Sequence, residues 1–164
     1  MDISVSINSK LNDEYRIILS PFNLDIIPYE VQELLGDDIE IVDVTLERVK
    51  GINPTDIGIL LKISNIIGEI LNDNGNLILY FYCDDMHNIS RRENRGGVSP
   101  QKFRSDLFSR MFDKYILSNG ITNMINTPIE IKADRHIYIH LISRDTHLNY
   151  VNAIKKAIMG MASK

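Results

Sequence analysis

The chain has 164 residues, of which 44% are hydrophobic, and it contains one cysteine, Cys83. This length and apolar content suffice for one domain with its own core, which we predict over residues 1–164. A lone cysteine excludes an internal disulfide, the N-terminus lacks the basic start and apolar run of a signal peptide, and no apolar run reaches the roughly 20 residues of a membrane-spanning helix. We therefore expect a cytoplasmic protein without a membrane segment.

The net charge of -4 is divided unevenly along the chain. Residues 1–89 carry 16 acidic against 5 basic side chains, whereas residues 90–164 carry 6 against 13. Such a division suits association with a charged partner or with another copy of the chain, including head-to-tail self-association. The alternative, which we favour on general grounds, is that the two halves fold against each other and neutralise locally.

The N-terminal third is predicted to consist mainly of strands. Apolar residues alternate with polar ones on both sides of Asn12-Asp13, which predicts an opening hairpin with one solvated face. A short helical turn is expected after Pro28. Residues 38–49 read as a strand whose apolar phase changes between Ile41 and Val42, as a β-bulge would require.

The middle of the chain predicts a βαβ unit. Asn53 and Pro54 are typical of a helix start, and the apolar residues that follow cover more than half of a helix extending to Asn72. The polar side chains left over form a narrow stripe of Lys62, Asn65, Glu69 and Asp73. Residues 77–83 have no polar phase, which predicts a central strand covered on both faces.

The C-terminal part continues with a helix, a hairpin and a final helix. The helix is predicted to start at Ser99-Pro100, to run to about Leu117 and to stop at Asn119-Gly120. Two strands are expected around 129–131 and 137–141, and the last helix is expected to start near Asp145. The predicted fold is α+β, with element order βββαβαββα and helices packed on a mixed β-sheet.

The polar segment from Asp84 to Val98 is the first candidate for a functional site. It follows the carboxyl end of the most buried strand, where open α/β sheets usually bind ligands, and it is longer than an ordinary connection. The candidate ligand-binding or anion-binding residues, including one from the next helix, are Asp84, Asp85, His87, Arg91, Arg92 and Arg104.

Arg104 is out of place in its helix, because helical periodicity puts it within the apolar face formed by Leu107, Phe108 and Met111. An unpaired buried guanidinium is costly, so we expect Arg104 to reach Asp84 or Asp85. The pair would be either a structural clamp between helix and sheet, which we favour, or an anion-binding arginine oriented by the aspartates.

Other chemistry at this position has weaker support. Cys83 and His87 could form a thiolate and imidazole pair, but a cysteine in a buried strand is usually a small hydrophobe. Asp84, Asp85 and His87 could bind Mg²⁺ or Mn²⁺, although adjacent carboxylates are common without metal. His136 and His140 are predicted to lie about 13 Å apart on a strand, too far for one ion. We predict no metal site, and expect both histidines to form a half-polar strand face with Tyr138.

Binding of nucleic acid or of a nucleotide cofactor is also weakly supported. Residues 90–114 carry seven basic and three acidic side chains, but the chain is acidic overall and the nearby aromatic residues have the spacing of a helix core. Neither G-x-x-x-x-G-K nor G-x-G-x-x-G occurs, and we predict no cofactor.

Two segments carry a resemblance to known proteins: Leu79-Tyr80-Phe81-Tyr82-Cys83-Asp84 and Arg104-Ser105-Asp106-Leu107-Phe108-Ser109-Arg110-Met111-Phe112. Together they resemble a group of short bacterial proteins of unknown function, with a strand ending in Cys-Asp, then an arginine and a helix with spaced aromatic residues. This chain has a longer loop between strand and helix, and Phe112 where tryptophan is frequent. The resemblance implies a bacterial, cytoplasmic protein.

The function expected from the sequence is therefore a non-enzymatic binding module, of the antitoxin, regulator or defence-accessory type, with a protein partner or a second copy as its ligand. No complete catalytic constellation can be identified in the sequence. The alternative is an enzyme or sensor for an anionic small molecule, nucleotide or RNA end, acting through Asp84, His87 and Arg104.

Overall fold

The structure is a computed structural model that describes residues 2–52, 57–83, 99–132 and 136–162. The strands are β1 (Ile3–Asn8), β2 (Glu14–Pro21), β3 (Glu40–Lys50), β4 (Leu77–Cys83), β5 (Met124–Lys132) and β6 (His136–Arg144). The helices are α1 (Tyr29–Leu35), α2 (Ile57–Asp73), α3 (Pro100–Asn119) and α4 (Leu148–Ala162), with 3-10 turns at Leu24–Ile26 and Asp145–His147. The predicted α+β class is confirmed. The order of elements differs from the predicted one by α1, which is the helical turn expected after Pro28.

The six strands form one mixed sheet in the order β1-β2-β3-β4-β6-β5. β3 and β4 are parallel and are joined through α2, as the predicted βαβ unit requires, while every other adjacent pair is antiparallel. Within the described residues, β1 and β5 are therefore the edge strands.

The helices cover the two faces of the sheet unequally. α2 and α3 pack on one face over a core that extends from β1 to β6 and includes Ile17, Val44 and Phe81. α1 and α4 pack on the other face, over a core centred on β4, β5 and β6 that includes Ile78 and Leu141. The second face is more polar over β1, β2 and β3, where its side chains are exposed or half-buried: Ser4, Ser6, Arg16, Thr45 and Glu47. The predicted hairpin with one solvated face is confirmed.

The predicted bulge between Ile41 and Val42 is wrong. Both residues are buried, and the strand pairs through them without a register shift, Ile41 opposite Ile78 and Val42 opposite Leu79. Ile41 belongs to the core under α1 and α4, whereas Val42 belongs to the core under α2. Two adjacent apolar residues are accommodated because β3 is covered on both faces at its start.

The central strand and the described parts of the predicted helices agree closely with the structure, whereas the predicted helix start at Asn53-Pro54 lies outside the described residues. The polar stripe of α2 is exposed as expected, and α3 ends at Asn119, followed by Gly120 as its C-cap in the left-handed conformation with φ 60°. β4 departs from its prediction at one end, since Tyr82 is 38% exposed. The helix cover on that face does not extend over Tyr82. Within the described part of the chain, no helix combines the length and apolar character needed to cross a membrane.

Candidate functional site

The polar segment singled out in the sequence lies outside the described residues. Asp84, Asp85, His87, Arg91 and Arg92 all fall in it, directly after β4 ends at Cys83. The predicted contact of Arg104 with Asp84 or Asp85, and the candidate metal ligands of this segment, therefore remain predictions.

Arg104 itself lies where its helical phase predicted, in the first turns of α3 and 6% exposed. The same side of α3 buries Phe108, Met111 and Tyr115 against α2 and the sheet. Cys83 is also buried, at 1% exposure, and belongs to the same core. Such burial is typical of a cysteine that packs as a small hydrophobe, the interpretation favoured from the sequence, while the alternative pairing of Cys83 with His87 stays a prediction because His87 lies outside the described residues.

The basic side chains of α3 that face solvent are mixed with acidic ones. Lys102, Arg110 and Lys114 are exposed, but so are Asp106 and Asp113, and Lys102 pairs with Asp106 at 3.4 Å. A helix face of alternating charge does not offer the continuous positive surface that phosphate contacts require.

A buried polar network under α3 was missed by the sequence analysis. His136, Tyr138 and His140 do share one strand face, as predicted, but His140 is fully buried and not half-polar surface. Its Nε2 lies 2.8 Å from the hydroxyl of Ser105, and its Nδ1 lies 2.8 Å from Oδ1 of Asn126. The network therefore connects α3, β6 and β5.

The hydrogen-bonding partners define the tautomer of His140. The Nδ2 of Asn126 donates to the hydroxyl of Ser109 at 3.4 Å, so Oδ1 is the atom that accepts from the imidazole. The proton consequently lies on Nδ1, and Nε2 accepts from the Ser105 hydroxyl. Burial lowers the pKa of His140 from 6.5 to about 4, with the charge of Asp106 opposing this shift. His140 is neutral at physiological pH.

The Ser105, His140 and Asn126 chain has the connectivity of a hydrolytic triad but not its surroundings. Ser105 is 8% exposed and lies inside the first turns of a long helix, where backbone N–H groups bond within the helix and are not available to stabilise an oxyanion. The ring of Phe108 packs against the imidazole, with centroids 4.9 Å apart. The arrangement satisfies buried polar groups and fixes the position of α3 on β5 and β6.

One candidate binding feature among the described residues is the outer edge of β1. Ser9 N–H donates to Asp13 C=O, so Ser9 and Asp13 form a hydrogen-bonded pair. This pair continues the register of the β1–β2 ladder, in which Ile7 lies opposite Tyr15 and Val5 opposite Ile17. Hydrogen-bonded pairs of an antiparallel ladder alternate along the strand, so the odd-numbered residues of β1 direct their N–H and C=O groups to β2.

It follows that Ser4, Ser6 and Asn8 direct their backbone N–H and C=O groups away from the sheet. The ladder between β2 and β3 is consistent with this assignment. If the odd-numbered residues of β2 bond to β1, its even-numbered residues must bond to β3, and Phe22 does donate its N–H to Ile41 C=O on β3. β1 contains neither a charged residue nor a proline, and its pairing with β2 has no register shift. Its outer edge is thus a straight, uncharged row of donors and acceptors.

The opposite edge of the sheet is built differently. Next to β5, Asp145 N–H donates to Asn123 C=O, so the odd-numbered residues of this strand bond to β6. The even-numbered residues of β5 therefore direct their backbone N–H and C=O groups outward. The middle of that outward set is Pro128, which has no N–H, and it is followed by the charged residues Glu130 and Lys132. Proline and charge on an edge strand oppose pairing with another chain, and of the two described edge strands β5 has both whereas β1 has neither.

A second surface feature is a shallow apolar crevice between α2 and α3. Its lining is Ser64, Ile67, Gly68, Phe108, Met111, Phe112 and Tyr115. It is the seam where the two helices meet, since the ring of Tyr115 packs directly on the backbone of Gly68. No group of three or more His, Cys, Asp or Glu residues in the described ranges is placed to hold a metal ion.

Comparison with known proteins found no matching protein family, no matching curated protein and no matching solved structure. The case for function accordingly rests on the geometry of the chain itself.

Proposed function

We propose that this protein is a binding module that recognises a protein partner by strand addition at β1. The observation that carries the proposal is the contrast between the two sheet edges. β1 offers outward N–H and C=O groups at Ser4, Ser6 and Asn8, whereas the outward set of β5 is interrupted by Pro128.

The character of β1 also supports this mode of recognition. In strand addition, backbone hydrogen bonds supply affinity, and alternate side chains supply specificity. Ile3 and Val5 are half-buried on the face under α2, while Ser4 and Ser6 are exposed on the other face. An incoming strand with the same alternation would extend the apolar layer on one side and the polar layer on the other.

Ser6→Pro is the variant that tests the proposal. It removes an N–H that points away from β2, so the β1–β2 hydrogen bonds should persist, and proline is tolerated at such edge positions. Ser6→Ala is the matched control, because both changes delete the hydrogen bond of 2.8 Å from the Ser6 hydroxyl to Glu14, and only the proline deletes the N–H.

Tagged wild-type, Ser6→Pro and Ser6→Ala chains should be used as bait in cells that make the protein, with captured proteins quantified by mass spectrometry. We expect Ser6→Pro to lower the recovery of the specific partner by about tenfold, equivalent to about 1.4 kcal/mol, and Ser6→Ala to leave it nearly unchanged. Protection of the Ser4 and Ser6 amides from hydrogen exchange in the complex would identify the edge directly. A partner held equally by all three baits would contradict the proposal.

A further inference from the structure

We propose that the partner at β1 is a second copy of the same chain, with the two β1 strands antiparallel about a twofold axis at Val5. This inference rests on strand addition as the mode of recognition and names the strand that is added. The two sheets would become one continuous sheet through both copies.

The twofold geometry suits the residue pattern of β1. About a twofold axis perpendicular to the sheet, the numbers of two opposite residues have an even sum, so odd-numbered residues lie opposite odd-numbered ones and even opposite even. Opposite residues therefore have their side chains on the same face of the sheet. Ile3, Val5 and Ile7 occupy the face under α2, and Ser4 and Ser6 occupy the open face. Isologous pairing of β1 therefore keeps the apolar face of each copy in line with that of the other.

Two registers maximise the overlap of the strands, one centred on Val5 and one centred on Ser6. With Val5 at the axis, Ile3 pairs with Ile7, Val5 with Val5, and Ser4 with Ser6. With Ser6 at the axis, Ile3 would instead face Ser9. The Val5 register is favoured because every apolar residue of β1 then has an apolar partner, at about 0.2–1 kcal/mol for each matched pair.

Backbone groups and charges also fit the Val5 register. Ser4 of each copy lies opposite Ser6 of the other, and both residues direct N–H and C=O outward, so they form hydrogen-bonded pairs across the axis. Asp2 would lie opposite Asn8, so no like charges face each other.

Partly exposed apolar side chains at the β1 edge of the core favour the addition of a second β1 strand. On β2, Ile17 and Leu19 are 0% exposed, whereas their β1 neighbours Val5 and Ile3 remain half-buried against the same core. A second β1 strand would place its own Val5 and Ile7 beside them and remove part of this apolar surface from water.

Cysteine pairing measures the register. Cα atoms of a hydrogen-bonded antiparallel pair are about 5.5 Å apart, within disulfide range. A mixture of Ser4→Cys and Ser6→Cys chains should form a cross-linked dimer under mild oxidation, while either variant alone should not. Ser20→Cys mixed with Ser4→Cys is the control, since Ser20 lies on the same open face of the sheet but on β2. Cys83 is buried in all these chains.

The outcomes separate this inference from the proposed function. Two results together support both strand addition and the second copy as partner. The mixture of Ser4→Cys and Ser6→Cys chains forms the cross-link, and sedimentation shows a wild-type dimer that Ser6→Pro dissociates. Cross-linking of Ser6→Cys alone overturns the Val5 register. A wild-type chain that sediments as a monomer while a different protein is captured in a Ser6→Pro-sensitive way overturns the second copy as partner and leaves strand addition standing.

Discussion

His140 shows how a single residue can look ordinary in sequence and be central in the structure. Its spacing from His136 suggested two ring side chains on a half-polar strand face, and the shared face is correct. What the pattern did not contain is the helix above it, which buries His140 completely while His136 stays exposed. The cost of burying the imidazole is offset by Ser105 and Asn126, which satisfy both ring nitrogens.

Acid should therefore destabilise the protein through His140. Its pKa is lowered from 6.5 to about 4 in the folded protein, so the unfolded chain binds the proton more tightly. The stabilising contribution of the neutral ring is fully present above pH 6.5 and is lost as the pH falls towards 4, by about 3 kcal/mol. Urea unfolding of wild type at pH 7 and pH 4 would measure this loss.

The control for this experiment lies on the same strand. His140→Gln should show a smaller loss of unfolding free energy over this pH range than wild type, whereas His136→Gln, at an exposed position, should keep the wild-type dependence. An identical pH dependence in wild type and His140→Gln would disprove the assignment.

At the scale of elements, the contact between α2 and α3 depends on a missing side chain. Gly68 faces Tyr115, and a Cβ at position 68 would overlap the tyrosine ring. Burial raises the pKa of the Tyr115 hydroxyl, with Glu69 and Asp73 adding to the shift, as expected of a phenol pressed against the neighbouring helix. The two helices approach closely because glycine occupies this position.

Gly68→Ala should lower the free energy of unfolding by about 1–3 kcal/mol, because the overlap outweighs the better helix propensity of alanine. Gly160→Ala is the matched control in α4, where a Cβ meets no atom within 4 Å, and it should be neutral or stabilising. Chemical denaturation of both variants tests this. Adding Tyr115→Ala should abolish most of the Gly68→Ala cost, and an unchanged cost in that background would refute the overlap.

At the scale of the whole molecule, the fold brings an acidic segment next to a helix with basic side chains. The segment 22–40 has six acidic residues and no basic one, and its helix α1 packs against α4, which carries Lys155 and Lys156. That the two halves neutralise each other locally stays a prediction. Because β1 is an uncharged strand, we regard its edge as a better candidate for association than either charged half.

A dimer built on β1 predicts that thermal stability depends on protein concentration. Folding coupled to association is stabilised by mass action, so a hundredfold increase in concentration should raise Tm by about 3 °C. Ser6→Pro should remove this dependence and Ser6→Ala should keep it. Scanning calorimetry at the two concentrations is the measurement, and a wild-type Tm that does not change with concentration would count against the dimer.

Much of the secondary structure was predictable because periodicity reports directly which side of an element is buried. The alternation in β1 and β2, the exposed stripe of α2 and the stop at Gly120 are all local patterns. Two of the wrong predictions, the bulge between Ile41 and Val42 and the full cover over Tyr82, have a common origin. Both depend on where the helices of the other face begin and end, which a strand's own sequence does not specify.

The candidate binding edge needed the tertiary structure. Residue patterns established that β1 is an amphipathic strand paired in a hairpin, but not that its other side is the end of the sheet. Strand order placed β1 at the edge, and the hydrogen-bond parity of its ladder with β2 decided that Ser4, Ser6 and Asn8 face outward. The physical reason is that the side-chain pattern distinguishes the two faces of a strand but not its two edges. Both edges consist of backbone N–H and C=O groups, which are the same in every sequence, so only the positions of the neighbouring strands show which edge is free to pair.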